Sequence, residues 1–204
     1  PPPPPPPFSS RRRHTRYFLA SRGLGDVYKR QDHDAANEPA GPAMPEFRVG
    51  QGFDVHRFSD DPARRLVLGG CIFDGEPGLV GHSDADVIAH ACADALLGAA
   101  GLGDIGMHFP DTDPRWAGAD SLALLRHVAS LLADDGWRVS NVDCAVVCER
   151  PKLAPRRDEI ERNLTAAAGG PVTIKGNRAE QLGAIGRREG IVCFASALIN
   201  RRAS

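Results

Sequence analysis

From residue 46 onward, apolar and polar positions follow two rhythms, one of period two and one near 3.6. FRVGQGFDVHRF alternates and is rich in β-formers, which predicts a strand over 47–55. RLVLGGCIF reads as a hairpin turning at Gly69-Gly70. GHSDADVIAHACADALLGAAGLG is the clearest helix. Ser83 is its expected N-cap, Asp86 follows at capping-box spacing, and Gly101 and Gly103 end it. DIGMHFPDTDP has turn chemistry and reads as a loop. Asp120 caps a second helix over 121–135, with Leu122, Leu125, Val128, Leu131 and Leu132 as its apolar stripe. WRVSNVDCAVVCE is a long strand, and PKLAPRRDEIERNLTAAAG is a helix whose prolines fall in or before its first turn. PVTIK is a strand, AEQLG a short helical turn, and GIVCFASALI a final apolar strand. Strands and helices mix without strict alternation and no internal repeat is visible. The expected class is α+β, a two-layer sandwich of a mixed β-sheet packed against helices.

The first 45 residues have neither rhythm. Residues 1–31 begin with seven prolines and read as non-native, disordered sequence of the kind produced when sequencing-adapter sequence is translated in front of a truncated gene. Residues 32–45 (DHDAANEPAGPAMPE runs on to Glu46) are polar and rich in Ala and Pro, as a linker is. Met44 is a candidate start; a lost upstream domain is the alternative. The functional domain is expected at 46–204.

Composition narrows the field of partners. A chain of 204 residues, 42% hydrophobic and 25% charged, fits a soluble domain with a real core. No apolar run is long enough for a membrane span. Seven of the 25 Lys and Arg fall in residues 1–31 against a single acid, so the body is net acidic. That argues against a nucleic-acid partner and requires any bound phosphate to be held locally, by metal ions and a few placed cations. Five cysteines, an odd number with no C-x-x-C, fit small core residues in a reducing cytoplasm.

Asp54 and His56 lie two apart at a strand end, which points both side chains to one face. A carboxylate beside an imidazole suits a divalent metal of the zinc type, although D-x-H alone carries little weight. The first helix adds a third donor. Asp86, His90 and Asp94 recur at i, i+4 and i+8, in register on a helix that is otherwise apolar, where ionisable groups need compensation. One carboxylate and two imidazoles leave a fourth tetrahedral position open.

Four linked segments extend this reading: G-F-D-V-H, H-S-D-x-D-V-x-x-H-A, D-A-L-L-G-A-A-G-L-G-D-I-G and F-P-D-T-D-P. In their order and spacing, residues 47–201 resemble the 2-C-methyl-D-erythritol 2,4-cyclodiphosphate synthase family. The resemblance implies a homotrimer with active sites between neighbouring subunits. It implies a metal-dependent phosphorus–oxygen lyase that closes a cyclic diphosphate and expels CMP in non-mevalonate isoprenoid synthesis. It assigns Zn²⁺ to Asp54, His56 and His90, and the attacking phosphate to His82 and Ser83, with His82 also stabilising the transition state. Asp94, Asp104, Ile105 and Gly106, with Phe109, Pro110, Asp111, Thr112 and Asp113, would hold the methylerythritol part. Segment 148–155 (CERPKLAP) resembles the cytidine site, through Cys148, Glu149, Arg150, Pro151 and Lys152. Glu180 matches the carboxylate for a second ion, Mg²⁺ or Mn²⁺, on the diphosphate.

The chain departs from the family pattern in three places. Where the family commonly has K-A-T-T-T-E, residues 175–180 read K-G-N-R-A-E. Asn177 and Arg178 stand in for two threonines; asparagine can donate hydrogen bonds, and arginine adds a charged planar fork suited to phosphate. Ala184 replaces an aromatic residue on the cytidine side. G-R-G-E-G becomes G-R-R-E-G at 186–190, adding Arg188 between Arg187 and Glu189, residues that the resemblance places near the trimer axis. A non-catalytic phosphate- or nucleotide-binding homologue is the competing expectation, and a metal-dependent hydrolase a third. An upstream cytidylyltransferase domain is a further possibility the resemblance raises.

Overall fold

The computed structural model describes residues 44–201. The expectations for residues 1–31 and for most of the 32–45 linker lie outside the described residues. Among the described residues, the first element of regular structure begins at Glu46.

A four-stranded mixed sheet forms the platform. Its strands are β1 (Glu46–Arg57), β4 (Arg138–Val147), β5 (Val172–Asn177) and β6 (Gly190–Arg201), in the order β1-β6-β4-β5. β6 runs antiparallel to both β1 and β4, while β5 runs parallel to β4. A separate hairpin joins β2 (Arg65–Leu68) to β3 (Cys71–Pro77) through Gly69 and Gly70, both at positive φ as such a turn requires. The helices are α1 (Val87–Ala100), the single turn α2 (Ile105–His108), α3 (Ser121–Asp134), α4 (Arg157–Ala168) and the single turn α5 (Gly183–Gly186). The expected α+β arrangement of mixed sheet and helices is the one observed.

α1 is the central element. Val87, Ile88, Ala91, Cys92, Ala95 and Leu96 are all buried, between the sheet and α3. It lies unusually close to β1, because β1 presents Gly50 and Gly52 to it. A Cβ on Gly52 would stand 2.0 Å from the Ala91 carbonyl oxygen, and one on Gly50 2.0 Å from that of Ala95. Alanines on the helix and glycines on the strand let the two backbones touch. The five cysteines are buried and unpaired, with Cys92 Sγ and Cys144 Sγ 3.3 Å apart in this core.

Several local expectations are corrected. The N-cap of α1 is Asp86, not Ser83. The Asp86 carboxylate accepts from the Ile88 and Ala89 N–H groups and, through its other oxygen, from Gly70 N–H at 2.7 Å. One fully buried side chain thereby caps the helix and ties it to the hairpin, a second demand that Ser83 does not meet. Asp86 is spent there and does not share the face of His90. Residues 105–108 form a helical turn rather than loop, capped by Asp104 through Met107 N–H. The last short helix falls at Gly183–Gly186, starting on the final residue of AEQLG. On α3 the buried stripe is Leu124, Leu125, Val128 and Leu132, with Leu122 only partly covered.

Candidate active site

The touching backbones of β1 and α1 bring together the candidate metal ligands. Asp54 and His56 follow Gly50 and Gly52 on the helix-facing side of β1, and His90 is the fourth residue of α1. Asp54 Oδ2 lies 3.0 Å from His56 Nε2 and 3.0 Å from His90 Nδ1, and the two ring nitrogens are 3.3 Å apart. His56 Nδ1 is 2.6 Å from the Val80 carbonyl oxygen, which can only accept. The proton of a neutral His56 therefore sits on Nδ1, and the Nε2 lone pair points inward. Gly81 leaves room for this ring, since a Cβ there would come within 3.2 Å of it.

Three electron-pair donors this close repel one another unless positive charge lies among them, so the donor set fits a divalent cation. Among the described residues this is the one group of three that could hold a metal ion. Burial pushes the Asp54 carboxyl up, but hydrogen bonds from His56 and His90 outweigh it and hold the group down at about 2. Burial likewise pulls His56 down, and the Asp54 carboxylate more than reverses this, leaving it raised.

The triad opens into a cleft of about 330 Å³. Gly81, His82 and Ser83 line one side, Ile105, Gly106, Phe109 and Asp111 another, with Trp116 and Leu124 at the back. Ser83 is buried and its Oγ lies 3.1 Å from His90 Nε2, whereas His82 is exposed and Nε2 donates to the Asp113 carbonyl at 3.0 Å. Asp94 does not line the cleft. It accepts from Ile105 N–H at 3.1 Å and so anchors α2; burial raises its carboxyl against that bond. Asp104 is occupied as the α2 cap. Pro110 and Thr112 are not among the lining residues, and Asp113 caps the turn Pro114–Trp116 while pairing with Arg115 at 2.6 Å.

A second groove of about 250 Å³ lies at the end of β4 and β5. Cys148, Glu149, Pro151, Lys152, Asn177 and Arg178 line it, with Leu153, Ala154, Arg157 and Gly176. Arg150 turns instead to Glu76 at 3.3 Å and lines an adjoining cleft with Arg188. Glu180 sits in the turn after β5, exposed and at φ 50°, outside both the groove and the metal cleft. Arg187 Nε donates to Glu189 Oε1 at 2.7 Å. The groove and the metal cleft share no lining residue within one chain.

Residue patterns missed Val80 as a partner of His56, and Gly81, Trp116 and Leu124 as lining of the cleft. The first acts through its carbonyl and the second through lack of a side chain. Trp116 lies just beyond F-P-D-T-D-P, and its indole N–H is buried without a partner.

The fold and site define a small α+β protein with a two-histidine, one-carboxylate cluster that could hold a metal ion, and a separate groove. The chain belongs to the YgbB family, whose model matches residues 47–200. It is 51% identical over 159 residues to 2-C-methyl-D-erythritol 2,4-cyclodiphosphate synthase of Thermosynechococcus vestitus, covering 76% of this chain and 98% of that relative. It is 55% identical over 158 residues to the bifunctional enzyme IspD/IspF of Anaeromyxobacter dehalogenans, again over 76% of this chain. The chain spans 40% of the length of that bifunctional relative, and the same share of a second, from another Anaeromyxobacter strain. Among solved structures, IspF of Plasmodium falciparum in complex with CDP matches with a TM-score of 0.67 and 32% identity, over 79% of this chain and 100% of that one. The bifunctional IspDF of Campylobacter jejuni matches with a TM-score of 0.73 and 37% identity, over 78% and 43%. Among the described residues no helix is long and apolar enough to cross a membrane.

Proposed function

We propose that this protein converts 4-diphosphocytidyl-2-C-methyl-D-erythritol 2-phosphate to 2-C-methyl-D-erythritol 2,4-cyclodiphosphate and CMP, in the cytoplasm. The observation that carries this reading is the convergence of Asp54, His56 and His90 within 3.3 Å, beside His82 and Ser83, in a chain of this family. An oxygen of the 2-phosphate attacks the β-phosphorus and forms the new P–O bond. The bond from that phosphorus to the bridging oxygen breaks, and CMP leaves with the electron pair.

Asp54, His56 and His90 would hold Zn²⁺, which when bound orients and polarises a phosphate oxygen. His82 and Ser83 position the attacking phosphate from the mouth and floor of the same cleft. Ile105, Gly106, Phe109 and Asp111 enclose the methylerythritol part, and Asp94 and Asp104 support them by fixing α2. The 148–152 segment takes the cytidine end, with Lys152, Asn177 and Arg178 toward its phosphates. Arg178 offers a fork of donors to charge that builds on the diphosphate during in-line displacement. Glu180 would carry Mg²⁺ or Mn²⁺ with the substrate. Because groove and metal cleft are separate within one chain, the complete site joins the groove of one copy to the cleft of another in a homotrimer.

The test is incubation of the purified chain with the diphosphocytidyl substrate, Zn²⁺ and Mg²⁺, with products read by ³¹P NMR. Cyclic diphosphate plus CMP is the expected result. Linear phosphate release would make the protein a hydrolase, and binding without turnover a non-catalytic homologue.

A further inference from the structure

The side of His90 that faces away from the triad has its own polar chain. Nε2 lies 2.8 Å from Ser121 Oγ and 3.1 Å from Ser83 Oγ. Ser121 Oγ in turn makes a short hydrogen bond to Asp84 Oδ1. Ser121 is buried at the start of α3, and Asp84 sits in the loop before α1. Backbone groups lock Asp84 from several directions: its Oδ2 accepts from Ser121 N–H at 3.2 Å, its Oδ1 from Asp86 N–H at 3.2 Å, and its own N–H donates to Ala119 O at 3.0 Å.

The direction of each hydrogen follows from what the groups can do. A carboxylate has no hydrogen to give, so Ser121 donates its one hydrogen to Asp84. Ser121 Oγ can then only accept from His90, which calls for the proton of a neutral His90 on Nε2, while the Asp54 carboxylate 3.0 Å from Nδ1 competes for that proton when no cation lies between them. With the proton on Nε2, the Nδ1 lone pair is aimed between Asp54 and His56, where a cation would take it. Ser83 Oγ already accepts from Ala85 N–H at 3.1 Å, so its own hydrogen remains free to swing toward Ser121 Oγ or into the cleft.

We propose that Asp84, acting through Ser121, sets the tautomer and orientation of His90 and so readies its Nδ1 to bind the metal. Asp84 and Ser121 are positioning residues: neither has an atom in the triad. This inference rests on the metal reading given above. It adds that the site is held from two sides, by Val80 on His56 and by the Asp84–Ser121 pair on His90. Partners of this kind typically carry about 10- to 100-fold in metal affinity.

The test uses the full chain, stripped of metal with a chelator. Long-range ¹H–¹⁵N NMR of the histidine rings at a pH where they are neutral reads the tautomer, and competition against a chromophoric chelator reads zinc affinity. Wild type is expected to show His90 with its proton on Nε2. Ser121→Ala and Asp84→Asn are expected to give mixed tautomers and bind zinc about 10- to 100-fold more weakly. Ser121→Thr, which keeps the hydroxyl, should restore both readouts. A wild-type His90 protonated on Nδ1 overturns the proposal, and needs no variant to fold. So does Ser121→Ala that binds zinc as wild type does, or that loses affinity with the tautomer unchanged. Wild type that binds no zinc would instead defeat the metal reading, and the tautomer of the metal-free protein would still decide the Asp84–Ser121 role.

Discussion

Removing the His90 imidazole takes away one of three donors that meet around Asp54 Oδ2 and leaves a carboxylate and one ring. His90→Ala is therefore expected to reduce bound zinc from one per chain to near none, read by metal analysis after gel filtration; a variant that keeps its full complement would dismiss the ligand assignment. Arg178 invites a second substitution. It lines the groove where the family commonly has threonine, and its fork can make charge-assisted hydrogen bonds worth about 1.5–3 kcal/mol each. Arg178→Ala should lower kcat/KM about 10- to 100-fold with zinc content unchanged, while Arg178→Thr, the family's usual residue, should recover part of that loss. An unchanged kcat/KM for Arg178→Ala would show that Asn177 and Lys152 suffice. His90 was legible in the sequence because ionisable residues in register on an apolar helix have few other reasons to be there. Ser121 and Asp84 were not. A serine at a helix start and an aspartate in a loop serve as local caps in most chains, and only the fold brings residues 84 and 121 into contact.

Elements were easier to read than the contacts between them. Periodicity located the strands and the three long helices, yet it did not say which of two capping residues opens α1. Ser83 and Asp86 are both good caps, and the choice fell to Asp86 because its second oxygen also satisfies Gly70 N–H on a distant hairpin. Nor did the strand pattern show that β1 approaches α1 through glycine. That approach sets the distance between His90 and the Asp54–His56 pair, so it can be tested through both stability and metal binding. In Gly52→Ala the new methyl would meet the backbone of Ala91 and Ala95, which cannot rotate aside. α1 must move off the strand and carry His90 with it. The expected cost is about 1–3 kcal/mol, read as a lower urea midpoint, together with weaker zinc binding. A variant as stable as wild type, with equal zinc affinity, would show that the helix does not depend on this contact.

Alternation in β1 also concealed which face is inside. Gly50, Gly52, Asp54 and His56 point toward α1, so Phe47, Val49, Phe53 and Val55 point away from the helices, with the Phe194 ring of β6 tilted against Phe53, centroids 5.2 Å apart. Val49 is 75% exposed and Phe47 56% exposed, and only Gln51 interrupts this row of apolar side chains on the outer face of β1. Exposed apolar side chains clustered in this way mark an association face. The proposed homotrimer supplies the cover, and it would also bring the groove of one copy to the metal cleft of the next, which a single chain keeps apart. The two consequences separate in one variant. Phe53→Asp places a charge in the middle of the face without touching the triad, which lies on the opposite side of β1. Wild type should elute at three times the 21.8 kDa chain mass in size exclusion with light scattering, and the variant at one. The monomer should still bind zinc, because all three donors come from one chain, but it should lose turnover, because half of each site is missing. A monomer with wild-type turnover would mean that groove and cleft cooperate within one copy. A trimer that survives the charge would mean that the exposed sheet face is not what holds the copies together.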